Sequence, residues 1–130
     1  KHAKAIRDLI ARNIPSAVHD ISEGGVACAA ADMVLSGGVG IVLKSHEDRT
    51  AADLFGETQA RYLLAANPAK VDAIKSLLEP AQIDYFLIGG FSDGCGLVED
   101  IQSPSRIEIS LTDLRAAHEG WLPGYMKGTS

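Results

Sequence analysis

Residues 24–35 constrain this chain more than any other stretch. Val26, Ala29, Ala30 and Met33 share one face at helical spacing, and the other faces are small and apolar too. A helix with no polar side must be covered from more than one direction, so the segment predicts burial between layers. Ser22 stands where an N-cap belongs, and Gly37-Gly38 closes the far end.

The remaining elements are read around that helix. Residues 3–13 form an amphipathic helix with Ile6, Leu9 and Ile10 on one stripe, ending near Asn13 and Pro15. Ala17 to Ile21 alternates as a short strand, and Val39 to Leu43 is nearly continuous apolar, as a central strand requires. Residues 44–56 are polar, with a short helix before Gly56, and Arg61 to Ala66 is the next strand. Asn67-Pro68 supplies N-cap and first-turn chemistry for a helix whose core face is Val71, Ile74, Leu77 and Leu78, stopped by Pro80. Tyr85 to Phe91 reads as a strand, Ser92-Asp93-Gly94 as a turn and Leu97 to Ile101 as the returning strand of a hairpin. Arg106 to Leu111 alternates again. Ser110 to Asp113 fits a capping box, with Asp in place of Glu, for a last helix carrying Leu114, Ala117 and Trp121 and stopping before Pro123. The order predicts an α+β domain, a mixed or antiparallel sheet layered with helices, and the hairpin argues against a purely parallel doubly wound sheet.

At 130 residues the chain has room for one domain, residues 1–130. Apolar residues make up 46% of it and charged residues 22%, the balance of an ordinary globule, and the formal charge is −5. That charge argues against nucleic acid and anionic lipid as partners. No apolar run approaches the ~18 residues that span a bilayer. Cys28 and Cys95 form no CxxC pair and no disulfide framework, so free buried thiols in a reducing, cytoplasmic compartment are expected. The start Lys1-His2-Ala3, without Met, is expected of a piece of a longer multidomain chain.

Two polar segments could carry chemistry. In His19-Asp20-Ile21-Ser22-Glu23-Gly24-Gly25 a strand ends and a helix begins. Free backbone N–H groups and the positive end of the helix dipole meet there, so Ser22, Gly24 and Gly25 could cradle a phosphate. The plainer reading is a tight turn in which Ser22 caps and the glycines allow close packing, and Asp20 and Glu23 place negative charge beside any such cradle. His19 suits proton transfer but equally suits a structural role at a strand end. His2, His19, His46 and His118 are scattered, without zinc spacing, so no metal site is expected. In Leu54-Phe55-Gly56-Glu57-Thr58-Gln59-Ala60-Arg61-Tyr62, the polar side chains of Glu57, Thr58 and Gln59 precede a buried strand. They could hydrogen-bond a sugar or amide, or only fix the start of the strand, with Glu57 and Arg61 as a surface ion pair.

These two segments carry a resemblance. Ala17 to Ala27 resembles the "hDvSdGGla" signature of C-terminal domains in the aminoimidazole-ribonucleotide synthetase superfamily. Leu54 to Tyr62 is similar to the "lFgEsqgRy" signature of the phosphoribosylformylglycinamidine synthase family. Ile88-Gly89-Gly90 and the ending Leu114 to Pro123 also look like the small bacterial form of that family, and the likeness runs over essentially the whole chain. The resemblance implies an ATP-dependent ligase of purine biosynthesis, which converts formylglycinamide ribonucleotide to formylglycinamidine ribonucleotide. ATP phosphorylates the amide oxygen, and ammonia from a glutaminase displaces the phosphate. It implies two N-type and two C-type domains in one chain, with this piece as the last C-type domain, and a glutaminase subunit and a small accessory subunit as partners. ATP and Mg2+ are then held mainly by the N-type domains, and no cofactor is expected in the piece itself. Glu57, Thr58 and Gln59 become the pseudo-symmetric counterpart of a substrate-contacting triplet, with His19 and Asp20 beside them. No catalytic residue is assigned, and the isolated piece is expected to be inactive and to self-associate through its bared flank. The alternatives are a related C-terminal domain of the selenide water dikinase, hydrogenase-maturation or thiamine-phosphate kinase type, or a stand-alone ligand-binding or dimerisation module.

Overall fold

The computed structural model describes residues 1–44, 51–93, 96–100 and 107–126. The chain divides into two units, Lys1–Ala29 with Ala51–Leu87, and Ala30–Thr50 with Ile88–Ser130.

In the first unit, helix α1 (His2–Ala11) and helix α4 (Val71–Leu78) pack through one apolar cluster. Ala5, Leu9, Ile14 and Leu78 are buried in it, with Ile6, Leu64, Ile74, Leu77 and Ile83 packed against them. The stripe on α1 runs through Ala5 and Leu9, one helical turn apart, and Ile10, expected on it, is exposed because it lies about 100° further round the helix.

Both helices end in the same way. Asn13 and Gln82 adopt left-handed φ angles of 53° and 52°. The next N–H, of Ile14 and of Ile83, then returns to the carbonyl of Leu9 at 3.2 Å and of Leu78 at 3.1 Å. This six-to-one bond, with an isoleucine folded back onto the core, is a Schellman cap built without glycine. Two lysines complete it reciprocally. Lys70, at the start of α4, donates to the Asn13 carbonyl at 2.6 Å, and Lys1, at the start of α1, donates to the Gln82 carbonyl at 2.5 Å. Each cation thereby meets the negative end of the other helix. Before α4, Asn67 Oδ1 accepts from the Ala69 N–H at 2.9 Å, the cap its sequence predicts, and a single 3-10 turn (Pro68–Lys70) leads into the helix.

Strand β1 (Ala17–Ile21) pairs antiparallel with β3 (Arg61–Ala65), Ala17 opposite Ala65 and Ile21 opposite Arg61. Helix α2 (Gly25–Gly37) follows β1, and the division between the units falls within it. The short helix α3 (Ala51–Phe55) precedes β3.

The second unit holds a four-stranded sheet in the order β4-β2-β5-β6. Its strands are β2 (Gly40–Lys44), β4 (Gly89–Ser92), β5 (Leu97–Asp100) and β6 (Ile107–Ile109). The apolar β2 is an inner strand, as its composition predicts, antiparallel to β4 and parallel to β5. The expected hairpin is therefore corrected: β4 and β5 do not pair, because β2 lies between them. Strand β4 is also shorter than expected, beginning at Gly89, with the Ile88 carbonyl accepting one more bond from the Lys44 N–H at 2.8 Å. At Gly89 the backbones of β4 and β2 press so close that a Cβ would run into the Val42 carbonyl. Helix α5 (Leu111–Met126) opens on the Ser110–Asp113 cap, where Ser110 Oγ accepts from the Asp113 N–H at 3.0 Å and its hydroxyl donates to the Asp113 carboxylate at 2.6 Å. It continues past Pro123, where it was expected to stop; a proline within a helix removes its own N–H bond without ending the turns on either side.

Two further expectations change. Val26, Ala29, Ala30 and Val34 of α2 are buried, but Cys28 is exposed, since position 28 points away from those four. Helix α2 is thus not enclosed all round, and the Cys28 thiol is not buried. Cys95, Gly94 of the expected turn, Ile101 and Arg106 lie outside the described residues. Among the described residues no helix is long and apolar enough to cross a membrane.

Candidate functional site

The two polar segments meet in the first unit. Antiparallel pairing sets the last residues of β1, Asp20 and Ile21, against the first of β3, Tyr62 and Arg61. The chain then turns through Ser22-Glu23-Gly24-Gly25 into α2. Gly24 and Gly25 have φ angles of 73° and 68°, which only glycine adopts freely. Space demands glycine as well. A Cβ on Gly25 would lie 2.5 Å from the Leu54 carbonyl oxygen, and one on Gly24 would strike the Cys28 sulfur. The Gly25 N–H closes the turn onto the Ser22 carbonyl at 3.2 Å. The Gly24 N–H donates to Glu57 Oε1 at 3.0 Å, so a carboxylate from the second segment is fastened to the first.

An open cleft of about 350 Å³ lies between the segments. Its polar groups are Asp20, Ser22, Glu23, Glu57, Gln59 and Arg61, and Ile21, Ala60 and Tyr62 complete the wall. Three carboxylates thus face one guanidinium. That guanidinium donates to the Gly56 carbonyl at 3.3 Å, and among the described residues no ion pair joins Arg61 to Glu57. The expected pair is therefore not formed, since each partner has a backbone group closer at hand. Ala60 has a φ of 61°, a conformation that costs an alanine about 1–2 kcal/mol and a glycine nothing. The signature that this segment resembles has a glycine there.

Of the residues singled out from sequence, Asp20, Ser22, Glu57 and Gln59 line the cleft together. His19, Gly24, Gly25 and Thr58 are not among its lining residues. His19 points to the other face of β1 by the period-two rule, and its Nδ1 lies 2.6 Å from the Asp20 carbonyl oxygen. The Gly24 amide, which a phosphate cradle needs free, is taken by Glu57. Among the described residues no group of three or more His, Cys, Asp or Glu side chains could hold a metal ion. The lining carries three carboxylates, one guanidinium and no lysine, a poor match for a polyphosphate.

Sequence reading passed over Tyr62 and Ala60 as site residues. The signal for Tyr62 was its position opposite Asp20, which requires the β1–β3 register. It also missed the surface around Tyr85, Phe86 and Leu87, read as strand. Phe86 is 83% exposed and Leu87 71%. There the Tyr85 hydroxyl donates to the Glu79 carboxylate at 2.7 Å, a bond that holds the phenol above its usual pKa.

Residues 1–102 match the family described as AIR synthase related protein, C-terminal domain. The chain is 37% identical over 123 residues to the phosphoribosylformylglycinamidine synthase subunit PurL of Sinorhizobium fredii, covering 95% of this chain and 16% of that protein. It is 35% identical over 127 residues to the subunit of the same name from Bartonella quintana, covering 97% of this chain and 17% of the relative. The chain thus spans about a sixth of the length of these curated relatives. Among solved structures, Thermotoga maritima PurL complexed with FGAR superposes with a TM-score of 0.76 at 16% identity, over 87% of this chain and 20% of that one. The same protein complexed with ATP gives 0.75 at 16% identity, over 87% and 21%. The PurLQS structure from that organism gives 0.76 at 16% identity, again over 87% and 21%. At that identity the likeness shows the fold, an α+β arrangement of helices and small sheets. Sequence and fold agree, and the chain belongs to the AIR synthase related family, as a C-terminal domain.

Proposed function

We propose that residues 1–130 serve as one C-terminal-type domain of an ATP-dependent phosphoribosylformylglycinamidine synthase, in the cytoplasm, where the whole protein makes formylglycinamidine ribonucleotide for purine biosynthesis. The observation that carries this reading is the alignment of 95% of the chain with a 16% portion of a synthase subunit at 37% identity. In the whole protein the terminal phosphoryl group of ATP passes to the amide oxygen of formylglycinamide ribonucleotide. Ammonia then bonds to the activated carbon, and inorganic phosphate leaves. N-type domains of the same polypeptide hold ATP and Mg2+, a second C-type domain completes the arrangement, and a glutaminase subunit and a small accessory subunit supply and pass on the ammonia. The PurLQS structure among the structural neighbours supports a multi-subunit setting of this kind.

This domain's own part is binding and support. Asp20 and Gln59, both lining the cleft, offer an acceptor and an amide to an uncharged portion of the ribonucleotide or to the neighbouring domain. Glu57 ties the segment before β3 to the turn before α2 through the Gly24 amide, and Thr58 and His19 stand beside the cleft as further candidates for binding. No step of bond making is assigned to these side chains. In the absence of its companions the domain self-associates through exposed apolar residues such as Phe86 and Leu87.

In the full-length synthase, Asp20→Ala and Gln59→Ala should raise KM for the ribonucleotide with kcat nearly unchanged. Identical steady-state kinetics would leave the cleft a purely structural role. Calorimetry of the 130-residue chain with ATP-Mg2+ should show no tight binding, and a saturable isotherm would overturn the supporting role.

A further inference from the structure

We infer that the open edge of β4 docks the same edge of a second copy of this chain, joining two sheets into one across a twofold axis at Gly90. This narrows the self-association proposed above to a single strand and does not depend on the reaction of the whole protein. Among the described residues β4 pairs on one side only, with β2. The Lys44 N–H, which donates to the Ile88 carbonyl at 2.8 Å, fixes the phase of that ladder. Bonded and unbonded pairs alternate along antiparallel strands. Gly90 and Ser92 therefore turn their backbone groups to β2, and Gly89 and Phe91 turn theirs to the open side. Open edges in soluble folds are commonly guarded by a charge, a proline or a bulge. At the opposite edge of the sheet β6 carries Glu108, but Tyr85 to Ser92 contains no charged residue and no proline.

The strand's own pattern argues for a second copy as the occupant. Phe91 lies opposite Ile41 and Gly89 opposite Leu43. Ile41 and Leu43 are buried and Phe91 is 56% exposed, so an apolar face runs out to this edge and ends there bare. Laid antiparallel about Gly90, two copies set Phe91 of each opposite Gly89 of the other. These are the residues whose backbone groups face outward, so both pairs exchange N–H···O bonds. Each Phe91 ring then covers the glycine of the other strand, a cross-strand pairing that compensates an edge glycine. No like charges meet along the four-residue strand. The contact is isologous and closes at two copies, and its shortness makes the dimer weak and in exchange with monomer.

The test is sedimentation of the 130-residue chain over a range of concentrations, with amide hydrogen exchange read over the same range. A reversible dimer is expected. As the chain passes from monomer to dimer, exchange of the Gly89 and Phe91 amides should slow about tenfold, while that of Gly90, already bonded to β2, stays unchanged. This readout needs no variant. Phe91→Lys, which puts a charge on the edge, should weaken dimerisation about tenfold or more. Phe86→Ser, away from β4, should change it by less than about twofold. A chain that stays monomeric throughout would overturn the inference. So would a dimer in which the two amides do not slow, or one that Phe86→Ser dissociates and Phe91→Lys does not.

Discussion

The first unit has two sides that hold together in different ways. On one, α1 and α4 pack through Leu9, Leu78, Ile14 and Ile83, and their ends are closed by twin Schellman caps and two lysines. On the other, β1 and β3 run out into a polar cleft whose shape depends on two glycines and one carboxylate. The helical side is held by apolar area, which is non-directional and tolerant of small shifts. The cleft side is held by close backbone approach and by hydrogen bonds, which are directional and are lost when an atom is misplaced. A cleft needs the second kind, because exposed polar groups have to be aimed.

The largest expected effect comes from the helical side. Leu9 is fully buried, so Leu9→Ala should cost about 3–4 kcal/mol in chemical denaturation, from lost burial and the cavity left behind. A loss below about 1 kcal/mol would mean that the cluster is looser than the contrast requires. Next is the cleft side. Gly25→Ala combines a left-handed φ with a Cβ 2.5 Å from the Leu54 carbonyl, and should cost about 2–3 kcal/mol while shifting the Tyr62 and Gln59 resonances. Unshifted resonances would show that the turn does not shape the cleft.

Smaller effects test a feature that both sides share. Gln82 beside the helices and Ala60 in the cleft each occupy a left-handed φ without being glycine. Gln82→Gly and Ala60→Gly should each stabilise by about 0.5–1 kcal/mol, since strain is relieved against the greater backbone entropy of glycine. Thermal melting that shows a gain at Gln82 and a loss at Ala60 would mean that the Ala60 methyl packs usefully in the cleft wall.

The smallest effect is electrostatic. A hydrogen bond from Lys4, at 2.6 Å, holds the Asp8 carboxyl below its usual value of 3.8. A folded-state pKa below the unfolded one stabilises the fold above about pH 4, and that contribution fades as pH falls through the folded value. The pair is exposed, so added salt should weaken the effect. Asp8→Asn should therefore lower the melting temperature slightly at neutral pH, with the difference from the parent shrinking as pH falls below about 4.

Much of this was legible from residue order. The α1 stripe, the alternation in β1, the apolar β2, the Asn67 cap and the Ser110–Asp113 cap all depend on neighbours within one or two turns. The structure has each of them close to its expected place. The two polar segments were also legible as special, because glycines and carboxylates at the end of a strand are costly without a purpose. The hairpin was not legible. The same Gly-rich turn joins strands that pair with each other and strands that pair on either side of a third, and only β2 decides between them. Nor were the Schellman caps, because Asn13 and Gln82 carry no glycine to announce them.

Local pattern thus determined which segments became helices and strands, because hydrophobic periodicity and capping act over a few residues. Long-range placement determined what the polar groups do. Only the folded chain brings Glu57, 33 residues away in sequence, to the Gly24 amide. The physical reason is that a backbone amide has one proton to give, and its acceptor was set by tertiary packing and not by sequence neighbours.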